Sequence, residues 1–231
     1  MITIRKSSER GHFDYGWLNT YHTFSFNTYY DVKYMSFRTL RVINEDVVIP
    51  HQGFDTHSHK DMEIITYIVE GELEHTDSTG TSSVIKRGDV QVMTAGSGVE
   101  HSEINSSNKS VHLLQIWITP SKKGLTQRYD EKHFPEKAKK DSLCLMVSGD
   151  GKNNSLMINQ DVSLFSSMLY KNKKLSYNIE KKRAAWIQVI SGELKVNDIV
   201  LVNGDGASIE HEKSIEITAK EDSEFLLFDL M

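Results

Sequence analysis

Short runs of aliphatic and aromatic residues recur along the chain, and glycine, asparagine, aspartate or serine residues separate them. Runs of this length that are rich in β-branched residues are typical of strands in an all-β sandwich or barrel. Six runs are predicted to be strands, over residues 64–69, 90–93, 112–118, 186–190, 194–196 and 225–230. One helix is predicted, over the polar segment 130–140, although Pro135 interrupts it.

An internal repeat divides the chain into two similar parts. The sequence around Gly71 (Ile-Val-Glu-Gly-Glu-Leu) matches the sequence around Gly192 (Val-Ile-Ser-Gly-Glu-Leu), and a Gly-Asp pair follows each of them. Such self-similarity indicates two copies of one β-barrel. We therefore predict a first domain over residues 1–125, a connecting segment over 126–141 and a second domain over 142–231.

Two segments of the first copy carry pairs of metal-ligating residue types. His57 and His59 form one pair, and His101 and Glu103 form the other, each with a spacing of two residues. Side chains at positions i and i+2 of a strand point to the same face, so two facing strands would bring three imidazoles and one carboxylate together. This donor set suits one divalent transition metal, and the pattern leaves iron, zinc, manganese, cobalt, nickel and copper open.

The second copy lacks these ligands. At the same spacing from its repeated glycine, Asn178 and Glu180 replace His57 and His59. A requirement of folding alone would have kept the histidines in both copies. Their restriction to one copy favours a role in binding a metal.

Glu63 is an alternative carboxylate for the site. It follows His59 by four residues, so it lies on the same face if the strand continues that far. Its other role would be that of an acceptor that fixes the tautomer of a ligand imidazole. The spacing alone does not choose between Glu63 and Glu103.

Composition narrows the class of protein. The chain has 231 residues and a net charge of -5, which argues against electrostatic binding to nucleic acid. It has neither an apolar run long enough to span a membrane nor an apolar signal segment near its first residue. Its single cysteine, Cys144, forms no internal disulfide, which suits a reducing compartment. We expect a cytoplasmic protein with no membrane or direct nucleic-acid partner.

The ligand segments resemble a known family. The order Gly-x3-His-x-His-x3-Glu over residues 53–63, followed by Gly71, resembles the first cupin motif, and residues 88–101 resemble the second. Finer details are similar to the pirin branch, above all to the bacterial pirin-like proteins with quercetin 2,3-dioxygenase activity: Gly16-Trp17-Leu18, His22-Thr23-Phe24-Ser25-Phe26 and Met93-Thr94-Ala95-Gly96.

This resemblance implies a fold, a ligand set and a reaction. The fold would be a bicupin, with two β-barrels of the double-stranded β-helix type. The ligands of one metal would be His57, His59, His101 and Glu103. The reaction would be metal-dependent cleavage of a flavonol such as quercetin by O2, with release of carbon monoxide. Glu103 would be the base that accepts the substrate proton, and Glu63 would be the reserve for that role.

Two further expectations concern the surroundings of the metal. Alternation places His22, Phe24 and Phe26 on one face and Gln115 and Trp117 on another, so these residues are candidates for cavity walls, with core packing as an equal alternative. Pirins are also linked to regulation. A non-catalytic, redox-sensing protein that binds a protein partner is therefore the alternative to a dioxygenase.

Overall fold

Extended segments make up most of the computed structural model, which describes all residues from Met1 to Met231. The strands are β1 (Ile2–Arg5), β2 (Gly11–Asp14), β3 (Leu18–His22), β4 (Leu40–Val48), β5 (Gly53–His59), β6 (Glu63–Glu70), β7 (Glu72–Asp77), β8 (Ser82–Lys86), β9 (Asp89–Thr94), β10 (Val99–Ile104), β11 (Val111–Ile118), β12 (Arg128–His133), β13 (Cys144–Ser148), β14 (Leu156–Met157), β15 (Val162–Leu169), β16 (Lys174–Asn178), β17 (Ala184–Ser191), β18 (Glu193–Val196), β19 (Ile199–Val202), β20 (Gly206–Ile209), β21 (Ser214–Ala219) and β22 (Ser223–Leu230).

Helical structure is confined to single turns. They are the α-helical turn α1 (Glu136–Lys139) and three 3₁₀ turns, Ser7–Glu9, Val32–Tyr34 and Lys152–Asn154. None of these is long and apolar enough to cross a lipid bilayer. The prediction of an all-β chain is therefore confirmed.

Each of the six predicted strands lies inside an observed one, but the predicted helix over residues 130–140 is wrong for most of its length. Residues Arg128–His133 form β12, which pairs antiparallel with β9. Pro135 then fixes its own φ and disfavours helix in the residue before it, so helical structure starts only at Glu136.

Contacts between Cα atoms group the chain into two compact units. The first unit contains Gly11–His133 and Leu156–Gln160, and the second unit contains Met1–Arg10, Phe134–Ser155 and Asp161–Met231. Met1–Arg10 belongs to the second unit because β1 pairs with β20. This grouping departs from simple chain order, whereas the domain limits of 1–125, 126–141 and 142–231 follow chain order and stay a prediction.

Two antiparallel sheets form the first unit. The larger has the strand order β12-β9-β6-β11-β4-β3-β2, and the smaller has the order β5-β10-β7-β8. Their apolar faces share one core, in which Leu73 and Ile85 of the smaller sheet pack with Val48, Ile68 and Leu113 of the larger one. Burial of these side chains holds the two sheets together and so fixes the smaller sheet, which carries the ligand segments.

The second unit repeats this arrangement. Its smaller sheet has the order β16-β21-β18-β19, and its larger sheet contains the order β1-β20-β17-β22-β15-β13. Leu194 and Ile217 of the smaller sheet share a core with Val189 and Phe225 of the larger one. The predicted internal repeat is therefore confirmed as a repeat of strand order.

The repeated glycines explain why the sequence repeat is visible. Gly71 connects β6 to β7 with a φ of 81°, and Gly192 connects β17 to β18 with a φ of 83°. A Cβ atom at Gly71 would lie 2.8 Å from the Ser110 carbonyl oxygen, and one at Gly192 would lie 2.4 Å from that of Asp222. Both positions need glycine for the same two reasons, a positive φ and the close approach of the backbone that leads into another strand, β11 or β22.

Candidate metal centre

Three of the predicted ligands meet at the edge of the smaller sheet in the first unit. β5 carries His57 and His59 on one face, and its neighbour β10 places His101 directly opposite His57. The ring centroids lie 4.8 Å apart for His57 and His59, 4.4 Å for His57 and His101, and 4.8 Å for His59 and His101. One nitrogen of each ring lies within 4.8 Å of a nitrogen of the other two.

Glu103 lies one step further along β10, beyond an irregularity in its pairing with β5. The carboxylate of Glu103 lies close to His75 and His101. Its two oxygens accept hydrogen bonds from Gln115 Nε2 at 3.1 and 2.9 Å. Burial raises the pKa of Glu103, and the nearby His75 and the Gln115 bond oppose that rise. Glu103 therefore lies beside His101, and its role as a fourth ligand stays a prediction.

Glu63 occupies a different place from the one that spacing suggests. The expectation that one strand face runs from His59 to Glu63 is wrong, because β5 ends at His59 and β6, in the larger sheet, begins at Glu63. The carboxylate accepts hydrogen bonds from Thr94 Oγ1 at 2.8 Å and Asn159 Nδ2 at 3.0 Å. Burial raises its pKa. The partners of Glu63 include no ligand imidazole, and its reserve role as a base stays a prediction.

Two of the three imidazoles are in the protonation state that a metal requires. Burial and the neighbouring His57 lower the pKa of His59 to about 4, and burial with the neighbouring rings lowers that of His101 to about 2. Both rings are therefore neutral near pH 7, and neutral imidazole is the form that coordinates metal ions. His57 Nδ1 lies 2.7 Å from the Asp55 carbonyl oxygen, so Nδ1 donates and Nε2 keeps its lone pair.

One buried atom shows that the triad fits a metal ion. His101 Nε2 is buried and has no hydrogen-bond partner. Such an unpartnered polar atom costs free energy unless it has a ligand, and the other two imidazoles surround the same point. Three imidazole nitrogen donors with a carboxylate close by form a donor set for a divalent transition metal.

A cavity of about 470 Å³ opens beside the triad. Aromatic side chains form much of its wall. Trp117 packs edge-on against His59 with 4.9 Å between the ring centroids, and Phe26 packs against Trp117 with 5.2 Å between them. The lining residues are Tyr15, Trp17, Leu18, Thr20, His22, Phe26, Asn27, Asn44, Asp46, Gly53, Phe54, Asp55, His57, His59 and Trp117. A smaller recess, which Glu103 and Gln115 also line, continues inward from it.

The predicted walls are therefore only partly observed. His22, Phe26, Gln115 and Trp117 line the cavity or its recess, whereas Phe24 is 1% exposed and lines neither. The alternation used for the prediction fails at this point because β3 ends at His22 and the chain turns after it.

Three buried residues near the triad escaped the sequence reasoning. The Nδ1 atom of His75, on β7, lies 3.4 Å from the Nδ1 atom of His101. The other ring nitrogen of His75, Nε2, donates a hydrogen bond to Asp77. Asp46 on β4 lines the cavity and is 4% exposed. The signal for the first two was present, since His75 and Asp77 share the spacing of two residues that marks His57 and His59.

The second unit has no equivalent group of ligands. The two groups of metal-ligating side chains in the structure both lie in the first unit. In the second unit, β16 pairs with β21 so that Asn178 lies opposite Ser214, and both residues are exposed. That only one unit binds a metal stays a prediction.

Comparison with known proteins identifies the family. Residues 3–118 match the family model of pirin, and residues 145–230 match that of the quercetinase C-terminal cupin domain. The chain is 46% identical over 231 residues to "Quercetin 2,3-dioxygenase" of Escherichia coli strain K12, with 100% of this chain and 99% of that protein covered. It is 37% identical over 230 residues to a "Pirin-like protein" of Caulobacter vibrioides, with 99% of each chain covered.

Solved structures agree with this assignment. The crystal structure of YhhW from Escherichia coli superposes with a TM-score of 0.96 at 45% identity and covers 100% of this chain and 98% of that one. The structure of the bacterial pirin YhhW in complex with nickel(II) superposes with a TM-score of 0.95 at 44% identity and covers 100% and 99%. The all-β chain, with its two cupin-type domains, belongs to the pirin family.

Proposed function

We propose that this protein is a metal-dependent dioxygenase that cleaves a flavonol such as quercetin. The reaction takes up one O2, breaks the two ring bonds to the carbon that carries the 3-hydroxyl group, and releases that carbon as carbon monoxide. The two oxygen atoms from O2 remain in the ester product. A relative with 46% identity over the whole chain carries the name of this activity.

The observation that carries the proposal is the position of the triad on the wall of the cavity. His57 and His59 both line the 470 Å³ space, so a ligand in the cavity reaches the same point that the three imidazoles surround. Cavities of roughly 300–1,000 Å³ hold small organic ligands in proteins. The size therefore suits a flat molecule of three rings.

A single divalent metal is the proposed cofactor. His57, His59 and His101 would hold it, with Glu103 as the fourth ligand. When bound, it would lower the pKa of a coordinated substrate hydroxyl, as it does for water. The related pirin that was solved with nickel(II) supports a divalent metal, and the donor set also suits iron, manganese, cobalt, copper and zinc.

Glu103 is the proposed base for the 3-hydroxyl proton. Its carboxylate is buried and lines the inner recess of the cavity, so a substrate hydroxyl placed beside the triad lies near it. Gln115 Nε2 donates to both of its oxygens and so orients the carboxylate. A carboxylate whose pKa is raised by burial accepts a proton more readily than an exposed one.

Aromatic walls orient the substrate. Phe26 and Trp117 meet edge to face at 5.2 Å, and Trp17 meets Phe54 at 5.4 Å. These four rings line the cavity and offer faces on which a flat polyphenol can stack. Asp46 lines the same space and provides an acceptor for a phenolic hydroxyl.

The direct test combines substrate spectra, oxygen uptake and a carbon monoxide trap. Metal-free protein is loaded with iron, manganese, cobalt, nickel, copper or zinc in turn and mixed with quercetin. We expect one or more of the loaded forms to consume oxygen and release carbon monoxide in equal amounts. A chelator should stop the reaction.

The control is a histidine outside the site. His12→Ala changes a residue of β2 that does not line the cavity, and it should keep the activity, whereas His59→Ala should lose it. Tight binding of quercetin without oxygen uptake for every metal would refute the dioxygenase and support a regulatory binding protein. Absence of binding would refute flavonols as the substrate.

A further inference from the structure

We propose that His75 and Asp77 are positioning residues that hold the His101 imidazole in the tautomer protonated on Nδ1, so that Nε2 presents its lone pair to the metal site. This inference rests on the proposed binding of a metal by His57, His59 and His101. It adds two residues outside the proposed ligand set, Asp77 and His75, which buried hydrogen bonds connect to His101.

Strand pairing places the three residues together. β7 lies beside β10, with His75 opposite Glu103 and Asp77 opposite His101. His75 Nε2 lies 3.1 Å from Asp77 Oδ2, and His75 Nδ1 lies 3.4 Å from His101 Nδ1. His75 is 0% exposed and His101 is 1% exposed, so water does not compete for these bonds.

The direction of these hydrogen bonds follows from Asp77. Its Oδ1 atom accepts hydrogen bonds from Thr79 N at 2.8 Å, Thr79 Oγ1 at 2.6 Å and Thr81 N at 3.2 Å. Three donors on one oxygen fix the carboxylate in place and leave Oδ2 as an acceptor for His75. His75 Nε2 therefore carries the proton of that ring.

The position of the proton on the His101 ring is then determined as well. With its proton on Nε2 toward Asp77 and an amide donor beside Nδ1, His75 offers a lone pair at Nδ1. Two ring nitrogens form a hydrogen bond only when one of them carries a proton, so His101 Nδ1 must donate. Gln91 Nε2 lies 3.4 Å from the same His75 Nδ1 and supports its role as an acceptor. The remaining nitrogen, His101 Nε2, is the buried atom without a partner.

The rest of the triad shows why this bond matters. His57 obtains the same tautomer from a backbone carbonyl, that of Asp55, at 2.7 Å. His101 has no such carbonyl and depends on another side chain, so its tautomer can be reversed by substitution. Partners of this kind typically change metal affinity about 10–100-fold when they are removed.

Asp77→Asn is the substitution that reverses the direction of the hydrogen bonds between Asp77, His75 and His101. The three donors from Thr79 and Thr81 would select the amide oxygen at the Oδ1 position, which places the amide nitrogen against His75. His75 Nε2 would then accept, the His75 proton would move to Nδ1, and the His101 proton would move from Nδ1 to Nε2. That proton would occupy the position of the metal.

Asp89→Asn is the matched control. Asp89 Oδ1 lies 2.7 Å from His133 Nδ1, and Asp89 Oδ2 accepts a hydrogen bond from the Lys86 backbone N–H at 2.9 Å. Like Asp77 and His75, these two residues form an aspartate–histidine pair in the first unit. It touches none of the triad residues.

Two measurements decide the proposal. Nitrogen-15 NMR of the metal-free proteins reports which ring nitrogen of His101 carries the proton, and titration with Ni²⁺ gives the dissociation constant. We expect the Nδ1–H tautomer in the wild type and in Asp89→Asn, and the Nε2–H tautomer in Asp77→Asn. We expect the nickel affinity of Asp77→Asn to fall about 10–100-fold and that of the control to stay unchanged.

Other outcomes overturn one inference or the other. The Nε2–H tautomer in the wild type, or an unchanged tautomer and affinity in Asp77→Asn, would overturn the positioning role. Absence of nickel binding by the wild type would overturn the metal site instead, and the metal-free spectra would still decide the tautomer. If Asp77→Asn does not fold, His75→Phe keeps a ring beside Tyr129 but removes the acceptor, and it should leave His101 as a mixture of tautomers.

Discussion

Asp46 is a buried carboxylate whose ionisation should destabilise the metal-free protein. It is 4% exposed, and its pKa is raised from 3.8 to about 7 by burial and by the charges of Glu103 and Glu45. A hydrogen bond from Thr20 opposes that rise but does not cancel it. Replacement by asparagine keeps the size of the side chain and removes the charge. We therefore expect Asp46→Asn to stabilise the fold at neutral and alkaline pH.

The sign and size of the effect follow from linkage. Because the pKa is higher in the folded state, the folded protein binds more protons than the unfolded chain between pH 3.8 and about 7, and the stability of the wild type falls as pH rises through this range. Each pH unit between the two values corresponds to about 1.4 kcal/mol. Asp46→Asn should gain about 4 kcal/mol in free energy of unfolding at pH 8, about 2 kcal/mol near pH 5.5 and almost nothing below pH 4.

Urea denaturation of the metal-free proteins at these three pH values measures the effect. The chain has 3 tryptophans, of which Trp17 and Trp117 lie in the first unit with Asp46. Replacing Trp186 by phenylalanine in every protein makes the fluorescence report on that unit alone. Asp130→Asn is the control, because Asp130 is an exposed residue of the same unit and its loss should change stability by less than about 0.5 kcal/mol.

The pattern over pH separates this explanation from others. A gain that is equal at pH 4 and pH 8 would come from packing or from a new hydrogen bond of the amide, and it would refute the role of the charge. No gain at pH 8 would show that Asp46 is ionised without cost, so that the cavity is more polar than its lining indicates.

Three further predictions concern the metal and the carboxylates. Purified protein should contain one divalent metal per chain by elemental analysis, and a second ion in the other unit would contradict the asymmetry between the copies. His59→Ala should lose metal while circular dichroism shows an unchanged fold, since the ring is part of the triad rather than of a core cluster; unfolding with metal retained would contradict this. Glu103→Gln should keep part of the metal and lose about 10²–10⁴ in rate, because an amide accepts no proton. Glu63→Gln should be milder, since Thr94 and Asn159 hold that carboxylate in the structure, and a reversed order of the two variants would exchange their roles.

Local patterns in the sequence were sufficient for six of the strands and for the pairing of His57 with His59. The run at residues 64–69 forms the centre of β6, which lies between β9 and β11 in the larger sheet, and residues 64–68 are buried. His57 and His59 share a face by alternation within one strand, and such pairs are visible without knowledge of the fold. The segment 130–140 failed because its propensity was judged in isolation. The free edge of β9 decides that residues Arg128–His133 are extended.

Contacts between distant strands were beyond the sequence. His75 resembled an unpaired histidine because its partner His101 is 26 residues away and lies on a neighbouring strand. Asp46 acquires its raised pKa only when β4 packs into the core of the sheet. His75 and Asp77 lie on β7, which is outside the six predicted strands, and the direction of their hydrogen bonding depends on Thr79 and Thr81.

The two units show why the fold alone does not make the site. Both have the same order of strands in the smaller sheet, and Asn178 lies opposite Ser214 as His57 lies opposite His101. Yet His101 is 1% exposed, whereas Asn178 and Ser214 are exposed. Burial keeps the imidazoles of His59 and His101 neutral and leaves His101 Nε2 without a partner, and both effects favour a metal. Histidines introduced at the exposed positions would have water as a partner and an ordinary affinity for protons. The chemistry of the first unit therefore depends on the enclosure of its ligands as much as on their identity.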